Sequence, residues 1–367
     1  MKLLNWLNAN IQKLEQAGIS TARLDCLVLL EDALDQNRSW LLAHPDQPVQ
    51  GSTLHRLDEQ IERRTRHEPL AYIRGKSEFY GREFIINHHT LQPRPETETM
   101  IELLKQLVES RKLKVESPVT YYLQPTTNQR LHGSDAAQGE AEQQADAMLT
   151  IVDVGTGSGC IAITTKILYP HVHVIATDID KKCLNTAKQN AKKLGTKITF
   201  YHGNLLEPLT NTDVGFTYAD PEADFSLSSG VRRMSDTAHE QRKGKTGSGP
   251  QTNSRIASPA SKQAVGDTWI LLANLPYVPD SHTINPAAMH EPPHAIFGGA
   301  DGLDYYRSLF KQLELIDIKP RFIFTEAMPP QHGSLESIAQ LHNYQLTKKQ
   351  DFIQVFSFIE TTVNKNT

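Results

Sequence analysis

The chain has 367 residues, 38% of them hydrophobic, which is enough for a sizeable core and two domains. Its formal net charge of −4 argues against a protein that holds nucleic acid mainly by neutralising phosphates. Polar residues from Asn5 to Gln12 interrupt any apolar run, so no secretory signal is predicted, and no stretch approaches a membrane span. The three isolated cysteines lack metal or redox spacing, and reduced thiols in a cytoplasmic protein are therefore expected.

Residues 1 to about 67 are predicted to be helical. The first helix should end at Gly18, and its apolar face is formed by Leu4, Leu7, Ile11 and Leu14. A second helix is predicted over residues 24–34, Ser39 is expected to cap a short third helix, and a fourth covers residues 54–61. The fourth has a basic polar face, which we interpret as a solvated surface rather than a binding surface.

The segment Phe79 to Ile86 predicts a hairpin that turns at Gly81. From residue 149 onward, strands alternate with helices. Strands are predicted near 149–154, 172–177, 197–202, 268–273, 320–325 and 352–359. Helices are predicted near 159–168, 181–194, 302–316 and 333–342. This alternation predicts an α/β fold with a doubly wound sheet and helices on both of its faces.

Two segments interrupt this pattern. Residues 113–147 are polar and rich in glutamine, and residues 210–266 are rich in small polar and basic residues. Neither can bury enough apolar surface to offset the entropy of ordering, so both are predicted to be flexible insertions. The favoured interpretation is a solvated linker, and the alternative is a basic loop that touches ribosomal RNA or an acidic partner.

The strand at 149–154 leads into a glycine turn that opens the next helix. The turn consists of Gly155, Thr156, Gly157, Ser158 and Gly159. Its glycines allow a tight turn and let the backbone come close to a ligand, and Asp153 is expected to hydrogen-bond to the turn. A glycine turn alone is weak evidence, because many α/β proteins use one to bind nucleotides.

Three further residues make the prediction for this site more specific. Asp178 ends the next strand and can accept hydrogen bonds from both ribose hydroxyls. After the third strand, Asn204 can bind the amino group of adenine and Leu205 can lie against the ring, although Asn204 is equally compatible with an ordinary turn. No phosphate-binding lysine accompanies these residues, and the glycines lack the longer dinucleotide spacing. The pattern therefore favours S-adenosyl-L-methionine over ATP.

The tetrapeptide Asn274-Leu275-Pro276-Tyr277 follows another apolar strand and is the predicted acceptor site. Asn274, which is also predicted to contact the cofactor, can accept one N–H of a carboxamide, and the Leu275 carbonyl can accept the other. Pro276 stiffens the turn, and Tyr277 can stack on the planar group. Holding an amide in this way, in line with a methyl donor, would supply rate through positioning and desolvation. The two motifs together indicate methyl transfer to a planar nitrogen.

Four separated segments of the chain resemble the HemK family, the release factor glutamine N5-methyltransferases. They are His67 to Gly75 with Phe79 to Gly81, Pro93 to Glu98, the glycine turn, and Asn274 to Tyr277. Shorter matches follow at residues 290–292 and 298–303, so the resemblance covers roughly residues 50 to 360 apart from the two insertions. Pro93 to Glu98 is the most family-specific segment, and it reads as a proline-fixed turn that feeds a helix. In the family it lies near the active site, which makes Arg94 and Glu98 weak candidates for site residues.

The resemblance implies a seven-stranded class I methyltransferase domain of Rossmann-like fold at residues 99–367. It also implies a small helical domain at 1–75 that docks the substrate, and a hairpin with a connecting segment at 76–98. The implied reaction uses S-adenosyl-L-methionine to methylate N5 of the glutamine in the Gly-Gly-Gln loop of class 1 peptide chain release factors. No membrane contact, no direct nucleic-acid binding outside the basic insertion, and a monomer are expected.

The chain departs from the family at two positions and in its insertions. Leu275 stands where the family usually has proline, which adds an N–H and removes some stiffness, and Asn204 stands where an acidic residue is common. Asn-Leu-Pro-Tyr also occurs in ribosomal RNA adenine N6-dimethyltransferases. The alternatives are therefore a nucleic-acid adenine or cytosine N-methyltransferase, which would bind an extruded base, and a cofactor-binding protein without turnover.

Overall fold

The computed structural model describes residues 1–111, 149–210 and 269–360. The predicted insertions at 113–147 and 210–266 lie outside these ranges, except that residue 210 ends a short helix. Their flexibility and any contact they make with RNA stay predictions. Within the described ranges, no helix combines the length and the apolar character needed to cross a bilayer.

The N-terminal region consists of short helices packed around one apolar core. The helices are α1 (Leu3–Gln16), α2 (Ala22–Leu34), α3 (Arg38–Ala43), α4 (Gly51–Thr65) and α5 (Leu70–Arg74). Their fully buried side chains include Trp6, Leu29, Leu30, Leu41, Leu57 and Ile61. The prediction that Ser39 caps α3 is wrong. The side chain of Asn37 accepts the N–H of Trp40 at 2.9 Å, so the helix begins one residue before Ser39.

The predicted hairpin is confirmed. It pairs β1 (Lys76–Phe79) with β2 (Arg82–Ile85) through the two-residue turn Tyr80-Gly81. Both turn residues have positive φ, 51° and 69°, which suits the right-handed twist of the flanking strands.

A sheet of seven strands forms the larger region. The strands are β3 (Thr150–Val154), β4 (His173–Asp178), β5 (Thr199–His202), β6 (Trp269–Ala273), β7 (Phe322–Glu326), β8 (Tyr344–Gln350) and β9 (Ile353–Phe358). Their order is β5-β4-β3-β6-β7-β9-β8. The first five strands in this order are parallel to one another, and β9 is antiparallel to both of its neighbours, β7 and β8. Every residue of β3, β6 and β7 is buried, as expected for parallel strands covered on both faces.

Helices cover both faces of the sheet, as predicted. They are α6 (Glu98–Arg111), α7 (Cys160–Leu168), α8 (Lys181–Lys193), α9 (Glu207–Thr210), α10 (Asp304–Leu313) and α11 (His332–Leu341). α6 and α7 pack into one apolar core, while α10 and α11 pack into a second core on the opposite face. The fold is thus a doubly wound α/β domain with seven strands, preceded by a helical region.

One of the seven strands, β8, was not among the strands located from the sequence. It lies at the edge of the sheet, and most of its side chains from Gln345 onward are exposed. An edge strand with both faces exposed to solvent has neither an apolar run nor an alternating pattern, so the sequence carries little signal for it.

One buried asparagine on α8 helps to attach the hairpin to the sheet domain. The Asn190 side chain accepts the N–H of Ile85 at 2.7 Å and donates to the carbonyl of Ile85 at 2.9 Å. It also donates to the carbonyl of Ser158 at 2.9 Å. One amide group therefore joins β2, α8 and the glycine turn.

Candidate functional site

The site lies where the chain order of the sheet reverses. From β3 the chain continues to β4 on one side, whereas β6 pairs with β3 on the other side. In open α/β sheets, ligands bind beyond the carboxyl ends of the strands at such a reversal. The glycine turn follows β3 and the acceptor tetrapeptide follows β6, so both predicted motifs reach this crevice.

The glycine turn has the left-handed backbone that glycine allows. Gly155, Gly157 and Gly159 have φ values of 72°, 56° and 83°. A Cβ on Gly159 would lie 2.9 Å from the Cδ1 atom of Ile163 and 3.1 Å from the Cβ atom of Ala187. Close packing between α7 and α8 therefore requires a glycine at position 159.

Asp153 hydrogen-bonds to the glycine turn, as the sequence predicts. Its buried carboxylate accepts the hydroxyl of Thr156 at 2.6 Å and the N–H of Ala162 at 3.2 Å. Burial raises the pKa of Asp153 to about 7, against the opposing effect of these two hydrogen bonds. Asp153 is thus part of the support of the turn.

Asp178 lies at the end of β4, and both of its carboxylate oxygens are oriented by backbone groups. Oδ2 accepts the N–H of Gly157 at 2.9 Å, and Oδ1 accepts the N–H of Asp180 at 2.8 Å. Burial raises the pKa of Asp178, and these hydrogen bonds oppose the rise. Each oxygen keeps a lone pair, so the carboxylate can still accept two ligand hydroxyls.

Two adjoining cavities open in the crevice. The first, of about 350 Å³, contains Gly155, Thr156, Gly157, Ser158, Asp178, Asn204, Leu205 and Asn274 in its wall. The second, of about 390 Å³, is lined by the whole tetrapeptide from Asn274 to Tyr277. Asn274, Leu275 and Pro276 line both cavities, so the tetrapeptide forms the junction between them. Gly159 lines neither cavity and lies instead against α8.

The first cavity fits S-adenosyl-L-methionine. Its glycine turn has left-handed backbone at Gly155 and Gly157, and a Cβ on Gly157 would stand in open space. An acidic side chain, Asp178, stands where ribose hydroxyls would be bound. Leu205 adds an apolar surface and Asn204 a polar group for a purine. The donor set therefore suits a nucleoside without phosphates.

The side chain of Asn274 is oriented by a residue far away in the sequence. Its Nδ2 atom donates to Oγ1 of Thr97 at 3.0 Å, across 177 residues. This bond uses one N–H of the amide and orients the group, and Oδ1 is the atom that can accept from a ligand. Thr97 is buried and belongs to the short helical turn Pro95–Thr97. The segment Pro93 to Glu98 thus orients the side chain of Asn274, a role that the sequence did not reveal.

Glu326 is a buried acid that lies next to the site without lining either cavity, and sequence reasoning missed it. Its Oε1 atom accepts the hydroxyl of Tyr277 at 3.1 Å, and its Oε2 atom has no hydrogen-bond partner among the described residues. Burial raises the pKa of Glu326 to about 7, although the polar groups of Thr97, Tyr277 and Asn274 oppose the rise. The available signal was its place as the last residue of an apolar strand, the same place that Asp178 occupies on β4.

Arg94 is the basic residue shared by the two cavities, and it forms an ion pair with Glu291. Its Nη2 atom lies 2.7 Å and 2.6 Å from the two carboxylate oxygens. The Glu291 side chain is 2% exposed, so burial raises its pKa while Arg94 opposes the rise. By contrast, Glu98 lines neither cavity and accepts the N–H of Tyr80 at 2.8 Å.

Comparisons with known proteins agree with this architecture. Residues 5–75 match the PrmC N-terminal domain, and residues 141–221 match the methyltransferase small domain. The release factor glutamine methyltransferase of Bacillus subtilis is 28% identical, over 83% of this chain and 77% of that protein. The enzyme of the same name from Enterococcus faecalis is 32% identical, over 60% of this chain and 65% of that protein.

A longer relative matches only part of this chain, and the match covers only part of that relative. The bifunctional methyltransferase of Rickettsia conorii is 35% identical over 57% of this chain, and the match covers 38% of that protein. The chain therefore spans well under two thirds of this relative. Together the matches confirm the predicted resemblance to the release factor glutamine methyltransferases, and they agree with S-adenosyl-L-methionine as the cofactor.

Proposed function

Because the chain is similar to the release factor glutamine methyltransferases, we propose that it methylates N5 of a glutamine side chain, in the Gly-Gly-Gln loop of class 1 peptide chain release factors. One observation carries the proposal: the cofactor cavity and the acceptor cavity meet at Asn274, Leu275 and Pro276. A methyl donor in one cavity and an amide in the other would lie next to each other at this junction.

In the proposal, the first cavity holds S-adenosyl-L-methionine through residues of three strand ends. Asp178 would accept the ribose hydroxyls, Asn204 and Leu205 would contact the adenine, and the glycine turn would lie against the ligand. When bound, this cofactor supplies a methyl group on a positively charged sulfur. Asn274 would contact both ligands, since it lines both cavities.

The second cavity would hold the substrate amide in place. Oδ1 of Asn274 would accept one N–H and the carbonyl of Leu275 the other, while Tyr277 would cover the planar face. An amide nitrogen is a poor nucleophile because its lone pair is delocalised into the carbonyl. Accepting both N–H groups raises the electron density on nitrogen and fixes its direction, so rate would come from positioning and from exclusion of water.

The N-terminal helical region would contact the release factor. In support, His290 is hydrogen-bonded through Nε2 to the carbonyl of Arg66 at 2.9 Å, and the next residue, Glu291, pairs with Arg94 in the wall of both cavities. The helical region therefore lies beside the acceptor cavity, where a protein substrate could touch both.

A methyl-transfer assay tests the proposal. Purified class 1 release factor and total ribosomal RNA would be offered in parallel with labelled S-adenosyl-L-methionine, and the Gly-Gly-Gln peptide would be weighed by mass spectrometry. One added methyl on that glutamine is expected from the wild-type chain, and Asn274→Ala is the control in which transfer should be strongly reduced.

Two other outcomes would overturn the proposal. Label in RNA, with none in the peptide, would assign the chain to the nucleic-acid amino methyltransferases, an alternative motivated by Leu275 in the tetrapeptide. Cofactor binding without transfer to either substrate would indicate a binding protein.

A further inference from the structure

We propose that Tyr306 is a positioning residue of the acceptor site. Its hydroxyl accepts the N–H that Leu275 has and a proline would lack, and this bond fixes the Leu275 carbonyl. The inference rests on the proposed function, in which that carbonyl accepts an N–H of the substrate amide. Tyr306 belongs to α10 and is fully buried, so its hydroxyl acts from behind the tetrapeptide.

The Tyr306 hydroxyl lies between the ends of two neighbouring strands. It accepts the N–H of Leu275 at 3.3 Å and the N–H of Glu326 at 3.2 Å. Its own proton goes to the carbonyl of Glu326 at 2.5 Å, the nearer of two carbonyls, while the carbonyl of Ala273 lies at 3.2 Å. Two acceptances and one donation use the full capacity of a hydroxyl group.

Leu275 needs such a partner because its backbone is buried. The residue is 3% exposed, and among the described residues its N–H donates to Tyr306. A proline at this position would have no N–H and would fix φ by itself. With leucine at this position, the hydrogen bond to Tyr306 restrains the backbone of Leu275, whose carbonyl would accept from the substrate.

The same hydroxyl also ties the acceptor site to Glu326. The backbone of Glu326 is bound to Tyr306, and its side chain is bound to Tyr277 at the other end of the tetrapeptide. Tyr306 therefore contacts the tetrapeptide directly at Leu275 and indirectly at Tyr277. Loss of the hydroxyl should loosen the acceptor site and leave the glycine turn unchanged.

A double-mutant cycle between Tyr306→Phe and Leu275→Pro tests the inference. In the wild-type background, Tyr306→Phe leaves the buried N–H of Leu275 unpaired. In the Leu275→Pro background this N–H does not exist. An unpaired buried donor costs about 1 to 3 kcal/mol, so the unfolding equilibrium constant should rise about 5- to 150-fold more in the wild-type background. An equal effect in both backgrounds would overturn the inference.

The second readout is enzymatic. On a release factor, Tyr306→Phe should lower kcat/KM about tenfold or more with Leu275 present, and clearly less in the Leu275→Pro background. The affinity for S-adenosyl-L-homocysteine should not change in either background. Coupling in stability without coupling in kcat/KM would show that Tyr306 only joins the strand ends, which would refute its positioning role.

Tyr344→Phe is the matched control, because Tyr344 is another buried tyrosine whose hydroxyl donates to a backbone carbonyl, that of Pro320 at 3.1 Å. It should show no coupling with Leu275→Pro. If Tyr306→Phe does not fold, amide hydrogen exchange of the wild-type chain decides instead. Slow exchange at Leu275 is expected, and exchange at the rate of an open loop would overturn the inference.

The unfolding cycle and the exchange measurement need no substrate. If the wild-type chain methylates nothing, the proposed function fails, whereas these two measurements still report whether Tyr306 holds the Leu275 N–H.

Discussion

Replacing Glu326 by glutamine should flatten the dependence of stability on pH. The pKa of Glu326 rises from an ordinary 4.5 to about 7 because its carboxyl is fully buried at the end of β7. The folded protein therefore binds this proton more tightly than the unfolded chain does. The contribution of Glu326 to the free energy of unfolding should fall as pH rises from about 4.5 to about 7, the window between the two pKa values.

The magnitude follows from the width of that window. At about 1.4 kcal/mol for each pH unit, titration of Glu326 alone removes about 3 kcal/mol of stability between acid and neutral pH. Asp153 titrates in the same direction, since its pKa is also raised to about 7 by burial. Glu326→Gln should therefore remove only its own share, and a pH dependence from Asp153 should remain.

The assay is urea unfolding of both proteins at a series of pH values from about 5 to 8, monitored by tryptophan fluorescence. The stability of wild type relative to Glu326→Gln should be about 2 to 3 kcal/mol greater at pH 5 than at pH 8. Exposed Glu109 offers a matched control, and Glu109→Gln should leave the profile of the wild type unchanged. Parallel profiles for wild type and Glu326→Gln would refute the reasoning.

Three further substitutions separate the parts of the site. Asn274→Ala should lower kcat/KM about 100-fold, as expected for one preorganised polar group, and calorimetry should find cofactor affinity nearly intact. Asp178→Ala should instead weaken cofactor binding, and unchanged affinity would contradict its assignment. Gly302→Ala should destabilise the fold by at least about 2 kcal/mol in thermal unfolding, because a Cβ there would lie 2.1 Å from the Tyr277 carbonyl in a left-handed backbone. A wild-type melting temperature would contradict this.

The sequence predicted the parallel part of the sheet well, because buried parallel strands are continuous apolar runs such as Trp269–Ala273. It did not locate β8, which is a wet edge strand, and it chose Ser39 over Asn37 as a cap, because both residue types suit that position. Local patterns were sufficient wherever neighbouring residues determine the structure.

The candidate site was predictable to the same extent. Its two motifs follow strands directly, so their meeting in one crevice could be expected from strand order. Thr97 and Tyr306 could not be recognised, because each acts on the tetrapeptide across a long stretch of sequence, 177 and 31 residues respectively. Such partners are set by tertiary packing, and the residue types alone carry no sign of them.

The segment between the helical region and the sheet domain has a practical meaning for anyone who shortens this chain. Residues 76–98 include Ile85, which Asn190 binds, Arg94, which faces both cavities, and Thr97, which orients Asn274. A fragment that starts at residue 99 would lose all three, whereas one that starts at residue 76 would keep them. The shortest fragment worth assaying for cofactor binding therefore begins with the hairpin.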